Sequence, residues 1–281
     1  MSASQLEKAR RFRALHDAPG TFLIPNPWDA GSARILTTLG FPALATSSFA
    51  SAVALGRRDG GITRDEALAP ARNLVAATDL PVSADLENGF GDSPAAIADT
   101  IRLAADAGLV GGSIEDATGD TSHPLFDLET AVARVSAAVA AARSLPFPFT
   151  LTARAENFFR GRPDLDDTIR RLQAYERAGA DVLFAPALPD LETVRAVCAA
   201  VSKPVNFMAG LPGKSFSVAE LAAAGVRRIS LGASLHRAAL GGFMSAANEI
   251  LQHGTFTFTD SLLPAPKVYQ LLEIVPRSSA K

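Results

Sequence analysis

Cysteine is nearly absent from this chain, which narrows the chemistry open to it. Cys198 is the only cysteine among 281 residues, so an intrachain disulfide and a cluster of thiolate metal ligands are both excluded. No run of about eighteen apolar residues occurs, and no membrane-spanning helix is predicted. The net charge of −2 argues against nucleic acid or an anionic membrane as a partner. Because the N-terminus is charged and has no apolar signal core, we expect a soluble, cytoplasmic protein.

One pattern recurs along the chain: a short apolar run, then a loop, then a segment with helical periodicity. The apolar runs are TFLIP (21–25), PALATS (42–47), PVSAD (81–85), VGGSIED (110–116), FTLTAR (149–154), DVLFAP (181–186), PVNFMA (204–209) and RRISLG (227–232). Strands that alternate with helices predict parallel pairing through right-handed crossovers. Eight such units favour a closed (β/α)8 barrel, and an open doubly wound sheet is the alternative.

Helix signals separate the predicted strands. Amphipathic helices are predicted at 94–107, 127–142 and 166–178, the first with Ser93 as N-cap and Pro94 at its first position. A long helical stretch follows the last strand, and a final helix is predicted near 263–275. No interdomain linker is visible. We therefore expect residues 1–281 to form a single barrel domain, with its core at about 20–235 and C-terminal helices at about 233–276.

Polar residues concentrate where the predicted strands end. In a barrel these ends and the loops after them build the active site. The residues concerned are Ser47, Ser48 and Phe49 with Asp59 in the next loop, then Asp85 and Glu87, Glu115, Arg154, and Asn206. Several consecutive units thus direct ionisable groups toward one mouth of the barrel.

The carboxylates of this set predict a cation site. Asp85 and Glu87 are two residues apart on an extended segment and point to the same side, and Glu115 comes from the next strand. Converging carboxylates repel one another unless a cation lies among them. Hard oxygen ligands without a nearby thiol or histidine favour Mg²⁺ or Mn²⁺. The alternative is a solvated acidic turn.

Arg154 ends an apolar strand, an unusual place for a structural arginine. Its planar guanidinium suits a clamp on a carboxylate or phosphate. A buried ion pair with Glu115 or Glu156 is the other interpretation, and both can hold together.

The ordered series NPWDAGSAR, SSFASAVALGRRD, DLENGFGD, SIED and ARAEN resembles the isocitrate lyase/phosphoenolpyruvate mutase superfamily over roughly residues 20–235. The resemblance implies a (β/α)8 barrel, often with its eighth helix swapped between subunits of a dimer or homotetramer. It also implies Mg²⁺-dependent chemistry on a small 2-oxo or 2-hydroxy acid through an enolate-like intermediate. By position, Asp85 would bind the metal while Glu87 and Glu115 hold its waters. Asp59 would lie close to metal and substrate, Ser47, Ser48 and the amide of Phe49 would hold a substrate carboxylate, and Arg154 would contact its oxygen-bearing end.

The sequence departs from that family after the fourth strand. Isocitrate and methylisocitrate lyases carry a K-K/R-C-G-H loop there, and phosphonomutases a loop with Lys and Asn, whereas this chain reads EDATGDTSHPLFD. His123 or water is then the candidate proton donor, and Trp28, Asn206 and loop 117–127 are expected to contact substrate. We expect a Mg²⁺-dependent carbon–carbon lyase acting on a small di- or tricarboxylate. The alternatives are carbon–phosphorus chemistry of the phosphonomutase or phosphonopyruvate hydrolase type, and a non-catalytic barrel that binds 2-oxo acids.

Overall fold

Each of the predicted apolar runs contains a strand in the computed structural model, which describes residues 3–273. The strands are β1 (Phe22–Ile24), β2 (Leu44–Ala45), β3 (Val82–Asp85), β4 (Gly111–Glu115), β5 (Thr150–Arg154), β6 (Val182–Phe184), β7 (Val205–Met208) and β8 (Arg228–Ser230). They pair in parallel in the order β1-β8-β7-β6-β5-β4-β3-β2. The backbone N–H of Ala45 donates to the carbonyl of Pro25 at 3.1 Å and bridges the remaining gap. The predicted (β/α)8 barrel is confirmed.

Helices follow the strands around the barrel. They are α1 (Gln5–Asp17), α2 (Ala30–Thr38), α3 (Ser48–Ala54), α4 (Arg64–Ala77), α5 (Pro94–Asp106), α6 (Leu128–Arg143), α7 (Leu165–Arg177), α8 (Leu191–Ala200), α9 (Val218–Ala223), α10 (Ser234–His253) and α11 (Ala265–Leu272). The helices predicted at 94–107, 127–142 and 166–178 are α5, α6 and α7. Ser93 caps α5 through a hydrogen bond from the Ala96 N–H, as its side chain predicted.

Helix α1 closes the end of the barrel where the strands begin. Phe12 is fully buried there, and a Cβ on Gly111 would lie only 2.8 Å from its ring, so β4 needs glycine at this point. The Lys8 ammonium donates to the Thr78 carbonyl at 2.7 Å. Helix α1 thus covers the N-terminal end of the barrel, opposite the C-terminal ends of the strands.

The helix after β8 behaves differently from the others. His236 is the only buried residue among the twenty of α10, while Phe243 and Leu251 have 68% and 83% of their surface exposed. A 3-10 helix (Thr257–Ser261) follows, and α11 packs against α2. The final helix predicted near 263–275 is confirmed as α11, and residues 274–281 lie outside the described part. Among residues 3–273, no helix is both long and apolar enough to cross a membrane.

Candidate active site

A cavity of about 1050 Å³ opens at the C-terminal ends of the strands. Most of the site residues predicted from the sequence line it: Ser47, Ser48, Phe49, Asp59, Asp85, Glu87, Glu115, Arg154 and Asn206. They meet because strands in a parallel barrel all end at one mouth. Their side chains therefore share one pocket although they are spread over 160 residues of sequence, from position 47 to position 206.

Asp85 is the centre of the hydrogen-bonding network in this cavity. Its Oδ2 accepts from the backbone N–H of Ser48 at 3.3 Å, which joins the end of β3 to the start of α3. Its Oδ1 accepts from Arg154 Nη1 at 2.9 Å and from the Ser113 hydroxyl at 3.5 Å. Asp85 thus contacts both the segment expected to hold substrate and the arginine expected to clamp it.

Arg154 is held by three carboxylates. Besides Asp85, its Nη2 contacts Glu115 Oε2 at 3.0 Å and Glu156 Oε1 at 2.8 Å. These charges raise its pKa against the opposing effect of burial. Arg154 therefore forms the buried ion pair of one interpretation, and it also lines the cavity, where the clamp of the other interpretation stays a prediction. The carboxylates fix its orientation before any ligand arrives.

Arg160 completes this network and was missed in the sequence analysis. From the turn after β5 it donates to Glu115 Oε1 at 2.8 Å and to Glu156 Oε2 at 3.2 Å. Both oxygens of Glu115 are therefore occupied by arginines. The sequence signal was present, because Arg160 follows the ARAEN motif within a few residues, but its partners are set only by folding.

Carboxyl groups outnumber arginines in the part of the cavity around Arg154 and Arg160. Five carboxyl groups lie around Arg154 and Arg160: Asp59, Asp85, Glu87, Glu115 and Glu156. Burial, then the charges of Asp85 and Asp59, raise the pKa of Glu87 from 4.5 to about 7. Burial likewise raises the pKa of Glu115, which Arg154 counteracts, and desolvation raises that of Asp59 although the residue as a whole is exposed. The cost of ionising these groups together would fall if a cation lay among them.

Glu87 provides the sharpest test of whether a cation fits. Its Oε1 is buried and has no hydrogen-bond partner among the described residues. Within residues 3–273, no three His, Cys, Asp or Glu side chains form a ready-made metal cluster. A cation bound here would need ligands other than these side chains, and Mg²⁺ usually keeps several waters in its protein sites.

A strained turn places Glu87. Glu87 and Phe90 have positive φ angles of 49° and 56°, and Gly89 between them has a φ of 90°. The Asn88 side chain accepts from the Phe90 N–H at 3.2 Å, and Arg134 of α6 donates to the Asp92 carbonyl at 2.7 Å. Positive φ in non-glycine residues costs about 1–3 kcal/mol each and is concentrated at functional sites. The acidic turn is thus held in place by its surroundings and is not a freely solvated loop.

The segment expected to hold a carboxylate is the start of α3. Ser47 is its N-cap: the hydroxyl oxygen accepts from the Ala50 N–H at 3.4 Å, and its O–H can still donate. Ser48 and Phe49 follow at the cavity wall. Across the cavity Asn206 is buried, and it donates to the Ser230 hydroxyl at 3.0 Å.

Two predicted residues lie outside this cavity. The His123 side chain is 86% exposed, beside Ser122 and Asp120, and borders a separate depression. An isolated bridge between Ala117 and Leu125 folds its loop back on itself. Trp28 packs edge to face against His236, with ring centroids 5.2 Å apart. The structure brings neither side chain to the carboxylates.

Behind the site lies a buried polar group that the sequence analysis did not interpret. Asp116 Oδ1 accepts from the Glu156 N–H at 2.8 Å. Its Oδ2 accepts from the Tyr175 hydroxyl at 2.6 Å and from Arg171 Nη1 at 3.0 Å. Helix α7 thereby fixes the backbone of Glu156, and through Glu156 the position of Arg154.

Fold and site together define a class: a (β/α)8 barrel with an acidic, arginine-bearing pocket at the C-terminal ends of β3, β4 and β5. A family model described as phosphoenolpyruvate phosphomutase matches residues 12–251. The chain therefore belongs to this family, within the isocitrate lyase/phosphoenolpyruvate mutase superfamily, and the resemblance noted from its motifs is confirmed.

Relatives of this chain include carbon–carbon lyases. An oxaloacetate decarboxylase from Bradyrhizobium diazoefficiens is 34% identical over 205 residues, covering 70% of this chain and 69% of that protein. A 2-methylisocitrate lyase from Halalkalibacterium halodurans is 32% identical over 205 residues, covering 72% of this chain and 67% of that protein. A crystal structure of a Burkholderia cenocepacia J2315 protein, provisionally assigned as a lyase/mutase, is 57% identical with a TM-score of 0.92 and 95% coverage of each chain.

Proposed function

We propose that this protein is a Mg²⁺-dependent carbon–carbon lyase acting on a small 2-oxo or 2-hydroxy di- or tricarboxylate. The observation that carries the proposal is the buried Oε1 of Glu87, which has no hydrogen-bond partner within residues 3–273 and lies beside Asp85 in a cavity that Arg154 also lines. The two carboxylates could hold a cation, and the arginine beside them could hold an anionic substrate. Relatives named for oxaloacetate and 2-methylisocitrate support this substrate class.

Asp85 is the residue we assign as direct metal ligand, with Glu87, Glu115 and Asp59 holding metal-bound water. When bound, Mg²⁺ would polarise the 2-oxygen of the substrate and stabilise the negative charge that develops as the bond breaks. Ser48 and Phe49 at the start of α3 would hold a substrate carboxylate. Arg154 would hold the oxygen-bearing end, its guanidinium oriented by Glu115 and Glu156 at 3.0 and 2.8 Å.

The loop after β4 supplies no general acid of the kind that related lyases carry there. Loop 117–127 contains neither cysteine nor lysine, and the His123 side chain is 86% exposed. Of that loop, Ala117, Thr118 and Gly119 line the cavity. We therefore propose that the enolate is protonated by water, which suits a decarboxylation or a retro-aldol cleavage.

The test is a substrate panel with matched variants. Purified protein with Mg²⁺ is incubated with oxaloacetate, malates, citramalates, isocitrates and phosphonopyruvate, and products are followed by proton and phosphorus NMR. Turnover of a carboxylate that stops in a chelator and in Asp85→Ala supports the proposal. Asp99→Ala, on the exposed face of α5, is the control and should match wild type.

Other outcomes would replace the proposal. Consumption of phosphonopyruvate alone would establish carbon–phosphorus chemistry, and tight 2-oxo acid binding without a product would establish a non-catalytic barrel. Equal turnover by wild type and Asp85→Ala would remove Asp85 from the mechanism.

We also propose that a second copy of the chain covers α10, as expected for a swapped eighth helix. Phe243, Met244 and Leu251 are 68%, 51% and 83% exposed, and burying each such side chain is worth about 1.5–3 kcal/mol. Light scattering should show a dimer or tetramer that Phe243→Glu or Leu251→Glu dissociates. Val218→Glu, at an exposed position on α9, should leave the oligomer intact.

A further inference from the structure

Arg228 lies on the floor of the cavity, with no counter-charge among the described residues. It is the first residue of β8, only 6% exposed, and among the residues that line the pocket. Unlike Arg154 and Arg160, it has no carboxylate partner among residues 3–273. Burial alone, without a neighbouring acid, lowers its pKa to about 9. A buried guanidinium in this state is costly, which is why most buried charges are paired.

The partners of Arg228 are all neutral. Its Nε donates to Asn206 Oδ1 at 2.8 Å and its Nη2 to Thr152 Oγ1 at 3.0 Å. Its Nη1 lies 3.5 Å from His16 Nε2. Since His16 Nδ1 lies 2.8 Å from the Phe12 carbonyl, Nδ1 carries the ring proton and Nε2 is a bare acceptor. Burial, then the charge of Arg228, lowers the pKa of His16 to about 3, so the imidazole adds no charge.

These contacts orient Asn206. An arginine N–H can only donate, so Arg228 holds the Asn206 carbonyl oxygen at the start of β8 and leaves the amide nitrogen toward Ser230 at the end of that strand. One Nδ2 hydrogen goes to Ser230 Oγ at 3.0 Å. The second has no acceptor among the described residues, and Asn206 lines the cavity. Arg228 therefore presents an Asn206 N–H donor to the cavity.

We propose that Arg228 is a positioning residue for an anionic substrate: it orients the Asn206 amide and supplies positive charge beneath the cavity. The acidic half of the pocket, around Asp85, suits the cation. The half formed by β7 and β8 has Arg228 and no described carboxylate paired with it, and this half favours an oxygen of the 2-oxo or 2-hydroxy acid. This inference rests on the proposed function and deepens it, because it separates the cation side from the anion side of one cavity.

Oxalate is the probe, since it is a small dianion with the shape of a 2-oxo acid. Its binding in the presence of Mg²⁺ is measured by calorimetry for wild type, Arg228→Met and Arg228→Lys. We expect Arg228→Met to bind oxalate at least tenfold more weakly and Arg228→Lys to stay nearer wild type, because lysine keeps the charge. With the turned-over substrate, Arg228→Met should raise KM and lower kcat together.

Arg227 offers a matched control one residue away. It donates to the carbonyls of Ala18 and Gly20 on the exposed side of the barrel, so Arg227→Met removes the same charge without touching the cavity. Thermal unfolding of each variant checks the fold, and Asn206→Ala, which removes the oriented amide, gives a second route if Arg228→Met does not fold.

The outcomes separate the two proposals. If wild type binds oxalate and turns over a substrate, but Arg228→Met and Arg228→Lys bind oxalate as wild type does, this inference is wrong and the lyase stands. If Arg228→Met fails to fold, an unchanged oxalate affinity in Asn206→Ala likewise overturns it. If wild type neither binds oxalate nor turns over any acid of the panel, the lyase proposal fails and takes this one with it.

Discussion

Asp116 is the residue whose substitution most directly tests how the site is built. The change is Asp116→Asn, which keeps the size and removes the charge. In the structure the carboxylate is 3% exposed as a residue and accepts at every contact: from the Glu156 N–H, the Tyr175 hydroxyl and Arg171. An asparagine oxygen can still accept from the Glu156 N–H, but the asparagine NH₂ group then faces the Tyr175 hydroxyl and Arg171, which are both donors.

The expected loss in the free energy of unfolding depends on the contacts that Arg171 keeps in the variant. Breaking a buried ion pair by removing one partner costs about 3–5 kcal/mol. Arg171 keeps Asp167 at 2.7 Å and the Phe126 carbonyl at 2.9 Å, so the lower end applies. We therefore expect Asp116→Asn to lose about 3 kcal/mol in the free energy of unfolding. At ~2–4 °C per kcal/mol for domains of roughly this size, the Tm falls by about 6–12 °C.

The assay is thermal and urea unfolding, with a double-mutant cycle. Tyr175→Phe removes the hydroxyl donor at 2.6 Å and should cost about 1.5–3 kcal/mol in wild type but much less beside Asp116→Asn. Asp166→Asn is the control, since it makes the same change at an exposed position of α7, the helix that carries Tyr175 and Arg171. A Tm within 2 °C of wild type for Asp116→Asn, or additive effects in the cycle, would refute this account of the network.

Three further predictions test the acidic turn and the loop after β4. Glu87 has a pKa raised from 4.5 to about 7, so ionising it destabilises the metal-free fold progressively as pH rises through that range. In a chelator, Glu87→Gln should therefore gain stability to urea at pH 8 and little at pH 4.5, and an equal gain at both would contradict the sign. His123→Ala should leave kcat/KM near wild type because the His123 side chain is 86% exposed. A loss of ~10²-fold or more in kcat/KM, which is typical of removing a general acid, would instead identify His123 as the proton donor. Gly89→Ala should lower the free energy of unfolding by about 1–3 kcal/mol, because it strains a φ of 90° and puts a Cβ 2.9 Å from Ile97. Gly20→Ala, with a φ of 89° and open space around it, is the control and should cost less. Equal losses of Tm in the two variants would show that the Ile97 contact is unimportant.

The elements of the barrel and their order could be predicted from the sequence because their signals are local. Apolar runs mark strands buried on both faces, and Ser93 with Pro94 marks the start of α5 whatever lies around it. The convergence of Asp85, Glu115 and Arg154 was also predictable. It needs only the rule that parallel strands in a barrel end at one mouth, and no knowledge of individual contacts.

Tertiary structure alone decided which groups meet. Arg154 binds three carboxylates at once, Arg228 reaches across from β8 to Thr152 on β5, and Asp116 faces Tyr175 from 59 residues away. Such contacts depend on the tilt and register of strands that are distant in the chain. His123 shows the reverse case. The sequence indicates its place in a candidate loop, but it does not indicate the Ala117–Leu125 bridge within that loop or the exposure of the His123 side chain. Local patterns determine what forms, and packing determines where each side chain points.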